Sequence, residues 1–293
     1  MPIAPDLSAL KQRLDSFFWR NQSPEMRLLK DILSEHFSQF ESVAVVGGLV
    51  RDFAREGRVG FRSDVDLVIN TPAHEVAAVA NILGARANRF GGYGAKIGVW
   101  RIDFWALETT WAAQSAGIPV SDLKDITRCT FFDWDAIAYD LRDRSVLCDA
   151  SYLDRLRLGI LEVSLYPTPS LEGNLLRAMR RLVLWKLRPG PVLMKFIVEN
   201  LNERVFNNIQ RKELELYPSS VSSMWTDVES ARRDLLEFDR YPAQYSFGFD
   251  DAAFTTIISD HHSLGRKVFR RRAGKLSEVP TLPGLEVSAA TLA

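Results

Sequence analysis

The stretch "VAVVGGLVRDFAREGRVGFRSDVDLVIN", Val43 to Asn70, constrains the fold of this chain more than any other. An apolar run ends in Gly47 and Gly48, an Arg51-Asp52 pair follows, and a second apolar run carries Asp64 and Asp66 among Val65, Leu67, Val68 and Ile69. Two strands separated by a glycine turn and a short helix account for the apolar residues. They do not account for the aspartates. Residues two apart on a strand face the same way, so the two carboxylates project together. Held side by side they repel, and one is driven to take up a proton unless a cation lies between them.

A divalent metal resolves that repulsion. Hard oxygen ligands on a rigid strand suit Mg²⁺, with Mn²⁺ as an alternative, and Mg²⁺ usually completes its shell with water and substrate phosphates. A third carboxylate on a neighbouring strand allows a second ion, and Asp103 in "RIDFWAL" is the best placed, because Ile102 and Phe104 flank it as core-facing residues and leave it on the open face. Gly47 and Gly48 fit the same chemistry: a glycine turn lets backbone N–H groups approach an anion, and the helix that follows offers its positive end. Arg51, in the first turn of that helix, is read either as a phosphate contact or as a structural bridge to Asp52 or Asp64. The constellation points to phosphoryl or nucleotidyl transfer.

The remainder of the chain supplies a scaffold. Pro24 to Phe37 has helical apolar spacing behind a Ser-Pro start, "PAHEVAAVANILGA" is a helix with a glycine stop, and "KIGVWRIDFWAL" is a pair of strands. "DWDAIAYDL" is read as helix or turn and "RSVLCDA" as a strand. From about Ser151 the segments favour helix, including "YLDRLRLGILEV", with breaks at Pro167, Pro169, Pro189 and Pro191. The expected fold class is therefore α+β, with residues 1–150 as one domain, 151–275 as a helical domain and 276–293 as a flexible tail. Equal numbers of basic and acidic residues, 37 each, give a net charge of zero, so any nucleic-acid surface has to be local. Two cysteines without ligand spacing, no leader-like apolar segment and no long apolar run lead to the expectation of a cytoplasmic protein without a membrane.

"GGLVRD" followed by "RSDVDLVI" resembles the head of the DNA polymerase β nucleotidyltransferase superfamily, in the class II branch of CCA-adding tRNA nucleotidyltransferases and bacterial poly(A) polymerases. Gly47, Gly48, Val50, Arg51, Asp52, Asp64 and Asp66 match that pattern, and Arg62 lies near its basic position. "DAIAYDL" from Asp135 is similar to the family's second element, and "NLLRAMRRLVLWKL" to its base-reading helix. The resemblance covers roughly residues 30 to 190 and implies a polymerase β-like head followed by a mostly helical region. It also implies a nucleoside triphosphate and an RNA acceptor, with a tRNA end among the candidates. Asp64, Asp66 and Asp103 would be metal ligands and catalytic groups, and Gly47, Gly48, Arg51, Asp52, Arg62, Arg128, Asn174, Arg177 and Arg180 would contact the nucleotide.

Two departures stand out. Cys129, Thr130 and Phe131 occupy the place of the family's Arg-Arg-Asp, with Arg128 one position earlier. Asn174 replaces the base-reading aspartate, exchanging a pure acceptor for an amide that also donates. Near the C-terminus, Arg266, Lys267, Arg270, Arg271 and Arg272 form a basic run that is a candidate RNA-phosphate contact. Two other classes stay open at this point: a catalytically silent RNA-binding or regulatory module, and a synthase of oligonucleotide signals or a toxin or defence nucleotidyltransferase.

Overall fold

The computed structural model describes residues 2–60 and 64–237. Arg62 and the basic run at 266–272 lie outside the described residues, as does the stretch 276–293. The centre is a seven-stranded mixed sheet of order β3-β4-β5-β2-β1-β6-β7. Its strands are β1 (Val43–Val46), β2 (Val65–Ile69), β3 (Arg86–Ala87), β4 (Tyr93–Ile97), β5 (Trp100–Ala106), β6 (Ile137–Asp140) and β7 (Ser145–Cys148). Strands β2 and β5 run parallel, and the other neighbours are antiparallel.

The alternation of side chains sorts the sheet into two faces. Val43 and Val45, Val65, Leu67 and Ile69, Ile102 and Phe104, and Ile137 and Tyr139 belong to the main core. On the N-terminal side, helices α1 (Leu7–Asp15), α2 (Pro24–Ile32), α3 (Gly48–Arg55) and α4 (Ala73–Leu83) contribute buried residues to that core. The opposite face is thinner. Ala44, Val46, Val68 and Ala138 meet Leu107, Leu123 and Ile126 there, and Asp66 and Asp103 emerge on the same side.

Local chemistry explains most of these elements. Ser23 caps α2, accepting from the Met26 N–H, and Pro24 opens the helix where a missing N–H costs nothing. Gly84 closes α4 in the left-handed conformation. Helix α1, capped by Asp6, brings Leu10 and Leu14 into the core, and the π-helical turn after it adds Phe17 and Phe18. Each such side chain contributes about 1.5–3 kcal/mol on burial. The Tyr139 hydroxyl donates to Asp15 Oδ1 at 2.5 Å and accepts from Trp19 Nε1 at 3.1 Å, tying this segment to β6.

Two sequence readings are corrected here. "DWDAIAYDL" is a single 3₁₀ turn, Asp133–Asp135, followed by strand β6 with all four residues buried, so no polar alternation marks it as a strand. "YLDRLRLGILEV" is helix only over α6 (Tyr152–Leu158), because Gly159 stops it with φ +65° and Ile160–Leu161 (β8) pairs in parallel with Arg188–Pro189 (β9). The remaining described C-terminal part is helical: α7 (Leu171–Leu184), α8 (Pro191–Asn200), α9 (Glu203–Leu216) and α10 (Val228–Leu236). Between β5 and β6 lies one further short helix, α5 (Trp111–Ala116). No helix among the described residues is long and apolar enough to cross a membrane.

A buried ionic junction joins the sheet to the helices. Arg51 on α3 donates from Nη1 to Asp135 Oδ1 at 2.5 Å and from Nε and Nη2 to Asp52 Oδ1 at 2.9 and 2.7 Å. Arg181 on α7 donates to both oxygens of Asp135, at 2.7 and 3.1 Å. The indole of Trp185 stacks on Trp134 at 5.9 Å and lies under the guanidinium groups of Arg51, Arg55 and Arg181. Asp135→Asn removes the negative charge that two buried guanidinium groups share, so it should destabilise the protein by about 3–5 kcal/mol in urea unfolding. A loss below about 1 kcal/mol would show that the junction is not structural.

Candidate active site

Beneath this junction lies a cleft of about 1030 Å³. Gly47, Gly48, Arg51, Asp52, Asp64, Asp66, Asn174, Arg177 and Arg180 all line it, so residues far apart in sequence are brought to one place. Gly47 adopts φ +63°, a conformation that disfavours any side chain, and its carbonyl accepts the Arg51 N–H at 2.9 Å to start α3. Arg101, Trp111, Trp185 and Lys212 also line the cleft, and the sequence reading assigned none of them to nucleotide contact. Cys129, Thr130 and Phe131 form part of the wall, where the resemblance would have a basic pair.

The carboxylates are set by sheet register. Asp66 and Asp103 are direct parallel neighbours, and Asp64 stands just before β2, exposed to solvent. Burial, with the charges of Asp103 and Asp64 beside it, pushes the Asp66 carboxyl up to about 8. Partial withdrawal from water raises Asp103, with the Asp64 charge adding to it, and raises Asp64 at its protein-facing side, while Arg101 opposes both shifts. Gly94 on β4 is the direct partner of Asp103, and a Cβ there would lie 2.6 Å from Asp103 Oδ1. The missing side chain is the space into which Asp103 leans, a role invisible in sequence because it depends on cross-strand register.

Sheet register sets the three carboxylates of the sequence expectation on one strand pair, Asp64 just before β2. Among the described residues, no three carboxylate, imidazole or thiol groups converge in a ready-made ligand set. Asp103 leans towards Gly94 across the strand gap. The donor chemistry nonetheless suits a hard divalent cation, because Asp66 and Asp103 are adjacent acids and the charges of Asp103 and Asp64 add to burial in raising the proton affinity of Asp66.

The cations of the cleft divide into two groups. Arg51 is engaged by Asp52 and Asp135, which is the structural alternative that the sequence left open for it. Arg180 donates to Glu213 at 2.5 Å and to the Ser219 carbonyl at 2.9 Å, and stacks over Tyr217. Asn174 is fully buried and joins Thr168 to Arg177, so its amide orients the arginine. Arg177, Arg101 and Lys212 make no ion pair among the described residues. Arg128 lies elsewhere: it pairs with Asp125 and lines a second cleft together with Lys124 and Arg155.

No protein-family model and no curated protein sequence matches the chain. Among solved structures, it is similar to a Thermotoga maritima CCA-adding enzyme complexed with tRNA (20% identity, TM-score 0.47), with 82% of this chain and 55% of that chain aligned. It is also similar to a Bacillus stearothermophilus CCA-adding enzyme in complex with CTP (17% identity, TM-score 0.44), over 65% of this chain and 49% of that one. A third is a tRNA nucleotidyltransferase with a primer tRNA and an incoming ATP analog (19% identity, TM-score 0.37), over 60% of this chain and 49% of that one. The chain spans about half the length of these structures.

The raised Asp66 gives a pH signature. An acid that holds its proton more tightly when folded favours the fold fully below its unfolded value near 4, and that advantage is lost as pH rises towards about 8. Asp133, pushed by burial to about 6, acts in the same direction only in the lower part of that window. The metal-free melting temperature should therefore fall between pH 6 and 8, and Asp66→Asn should flatten the fall and melt higher than the parent at pH 8. An unchanged slope in Asp66→Asn would remove Asp66 as its source.

Proposed function

We propose that this chain is a metal-dependent nucleotidyltransferase that moves a nucleoside monophosphate from a nucleoside triphosphate to the 3′ hydroxyl of an RNA, a tRNA end being the first acceptor to try. The observation that carries the reading is the adjacency of Asp66 and Asp103 on parallel strands, with Asp64, Asp66 and the Gly47-Gly48 turn lining one cleft. Half-buried carboxylates that repel one another, as Asp66 and Asp103 do, are costly, and a binding site for a charged reaction gives them a purpose.

A bound Mg²⁺ would supply Lewis-acid polarisation of the phosphate and neutralise the charge that develops on it. Asp66 and Asp103, with Asp64, are the residues that would hold it. The Gly47-Gly48 turn offers backbone N–H groups and the start of α3 to the triphosphate. Arg177, held by Asn174 and without a carboxylate ion pair among the described residues, would turn its remaining donors to phosphate or base. The acceptor oxygen forms a bond to the α-phosphorus as the bond to the β-phosphate oxygen breaks. The hydroxyl proton passes to a carboxylate, Asp103 being the best placed, and pyrophosphate leaves. Arg51 and Asp52 act through position: they fix the helix that begins at the glycine turn.

The test is label transfer from each of the four α-³²P nucleoside triphosphates, with Mg²⁺ or Mn²⁺, onto total RNA and in its absence. Label on RNA should vanish in Asp64→Ala/Asp66→Ala. Gly94→Ala, which crowds only the mobile end of Asp103, should lose about tenfold or more in transfer while melting within a few degrees of the parent. Label confined to small products would instead indicate an oligonucleotide synthase. No label under any condition would favour a silent binding module.

A further inference from the structure

Cross-strand partners share a face of the sheet, so register assigns residues beyond the cleft to the carboxylate side. Asp66 neighbours Asp103, Asp103 faces Gly94, and Gly94 faces Arg86 on β3. One step along, Lys96 faces Arg101, and Arg101 stands alongside the position of Asp64. Arg86, Lys96 and Arg101 thus form a cationic margin on the open face, running from the carboxylates to the edge of the sheet. All three are exposed, and among the described residues none is held through its side chain by an ion pair or hydrogen bond. Lys96 and Arg101 stand directly opposite on antiparallel strands and concentrate positive charge there, part of it offset by Asp64 and Asp103 beside Arg101.

The geometry points to this margin as the seat of the acceptor: we infer that Arg86, Lys96 and Arg101 hold the backbone phosphates of a single RNA strand and lead its 3′ end to Asp66 and Asp103. This inference rests on the reading under Proposed function. In that reading the triphosphate binds at the Gly47-Gly48 turn after β1, whereas the margin lies across β5, β4 and β3, on the other side of the carboxylates. An in-line displacement needs the attacking hydroxyl and the departing pyrophosphate on opposite sides of the phosphorus, and the strand order supplies those sides. An RNA strand carries one negative charge per nucleotide, which suits a row of separate cations better than a compact anion would.

The experiment measures binding of a fluorescently labelled single-stranded RNA of roughly 12 nucleotides, by anisotropy across a salt series, with the full chain. Arg86→Gln/Lys96→Gln leaves the cleft residues untouched. It should weaken binding about tenfold at low salt and make the slope of log affinity against log salt shallower by about 1.4, which is two phosphate contacts. Its melting shift with Mg²⁺ and ATP should match the parent. Lys195→Gln/Arg233→Gln, two exposed cations on other helices, should leave the slope unchanged. Equal RNA affinity in parent and Arg86→Gln/Lys96→Gln, an equal loss in the control pair, or no RNA binding by the parent would each overturn the inference. Lys96→Gln alone, expected to remove half the slope change, decides the matter if the double variant does not fold. RNA held through this margin by a protein that transfers no label would leave the inference standing and defeat the proposed reaction. Label transfer with RNA binding indifferent to Arg86 and Lys96 would do the reverse.

Discussion

The carboxylate of Asp135 is the fixed point of the cleft. It accepts from Arg51, which belongs to the helix starting at the glycine turn, and from Arg181, which belongs to the long helix of the second half. With burial opposing it, the attraction of Arg181 and Arg51 still holds this acid well below the usual carboxylate range. Removing one partner would leave a buried charge without compensation, so the three residues move as a unit. Trp185 and Trp134 close the same junction by stacking. The walls of the cleft are consequently held relative to each other before any ligand arrives, and preorganisation of that kind is what electrostatic catalysis requires.

The same junction divides the charge of the cleft. Arg51, Arg180 and Arg181 are committed to internal acids, whereas Arg177 and Arg101 line the cleft without an ion pair among the described residues. Opposite them, Asp66 and Asp103 are crowded acids whose repulsion the fold tolerates. Under the proposed reading, committed structural ions on one side and crowded acids only partly offset by Arg101 on the other suit a substrate that brings both a metal and a phosphate. Cys129, Thr130 and Phe131 contribute no positive charge to this wall.

Much of this was legible in sequence where the signal was local. The period of two in "DVDLVIN" and "RIDFWAL" identified the strands and set Asp66 and Asp103 on one face, and the Gly47-Gly48 pair marked the turn. Capping residues likewise marked α2 and α4. What escaped depends on partners distant along the chain. Asp135 is 84 residues from Arg51, and Arg180 is 33 residues from Glu213, so no spacing rule could reveal that these charges are internally satisfied. Gly94 owes its role to strand register, and β6 was obscured because burial on both faces erases alternation.

The measurement that tests the central claim most directly is anomalous diffraction from crystals grown with Mn²⁺ and a non-hydrolysable nucleoside triphosphate. The account predicts a Mn²⁺ peak within about 2.2 Å of carboxylate oxygens of Asp66 and Asp103, bridged to the phosphates, with the triphosphate against the Gly47-Gly48 turn. A nucleotide bound in the second cleft beside Lys124 and Arg155, or Mn²⁺ held without Asp66, would contradict it.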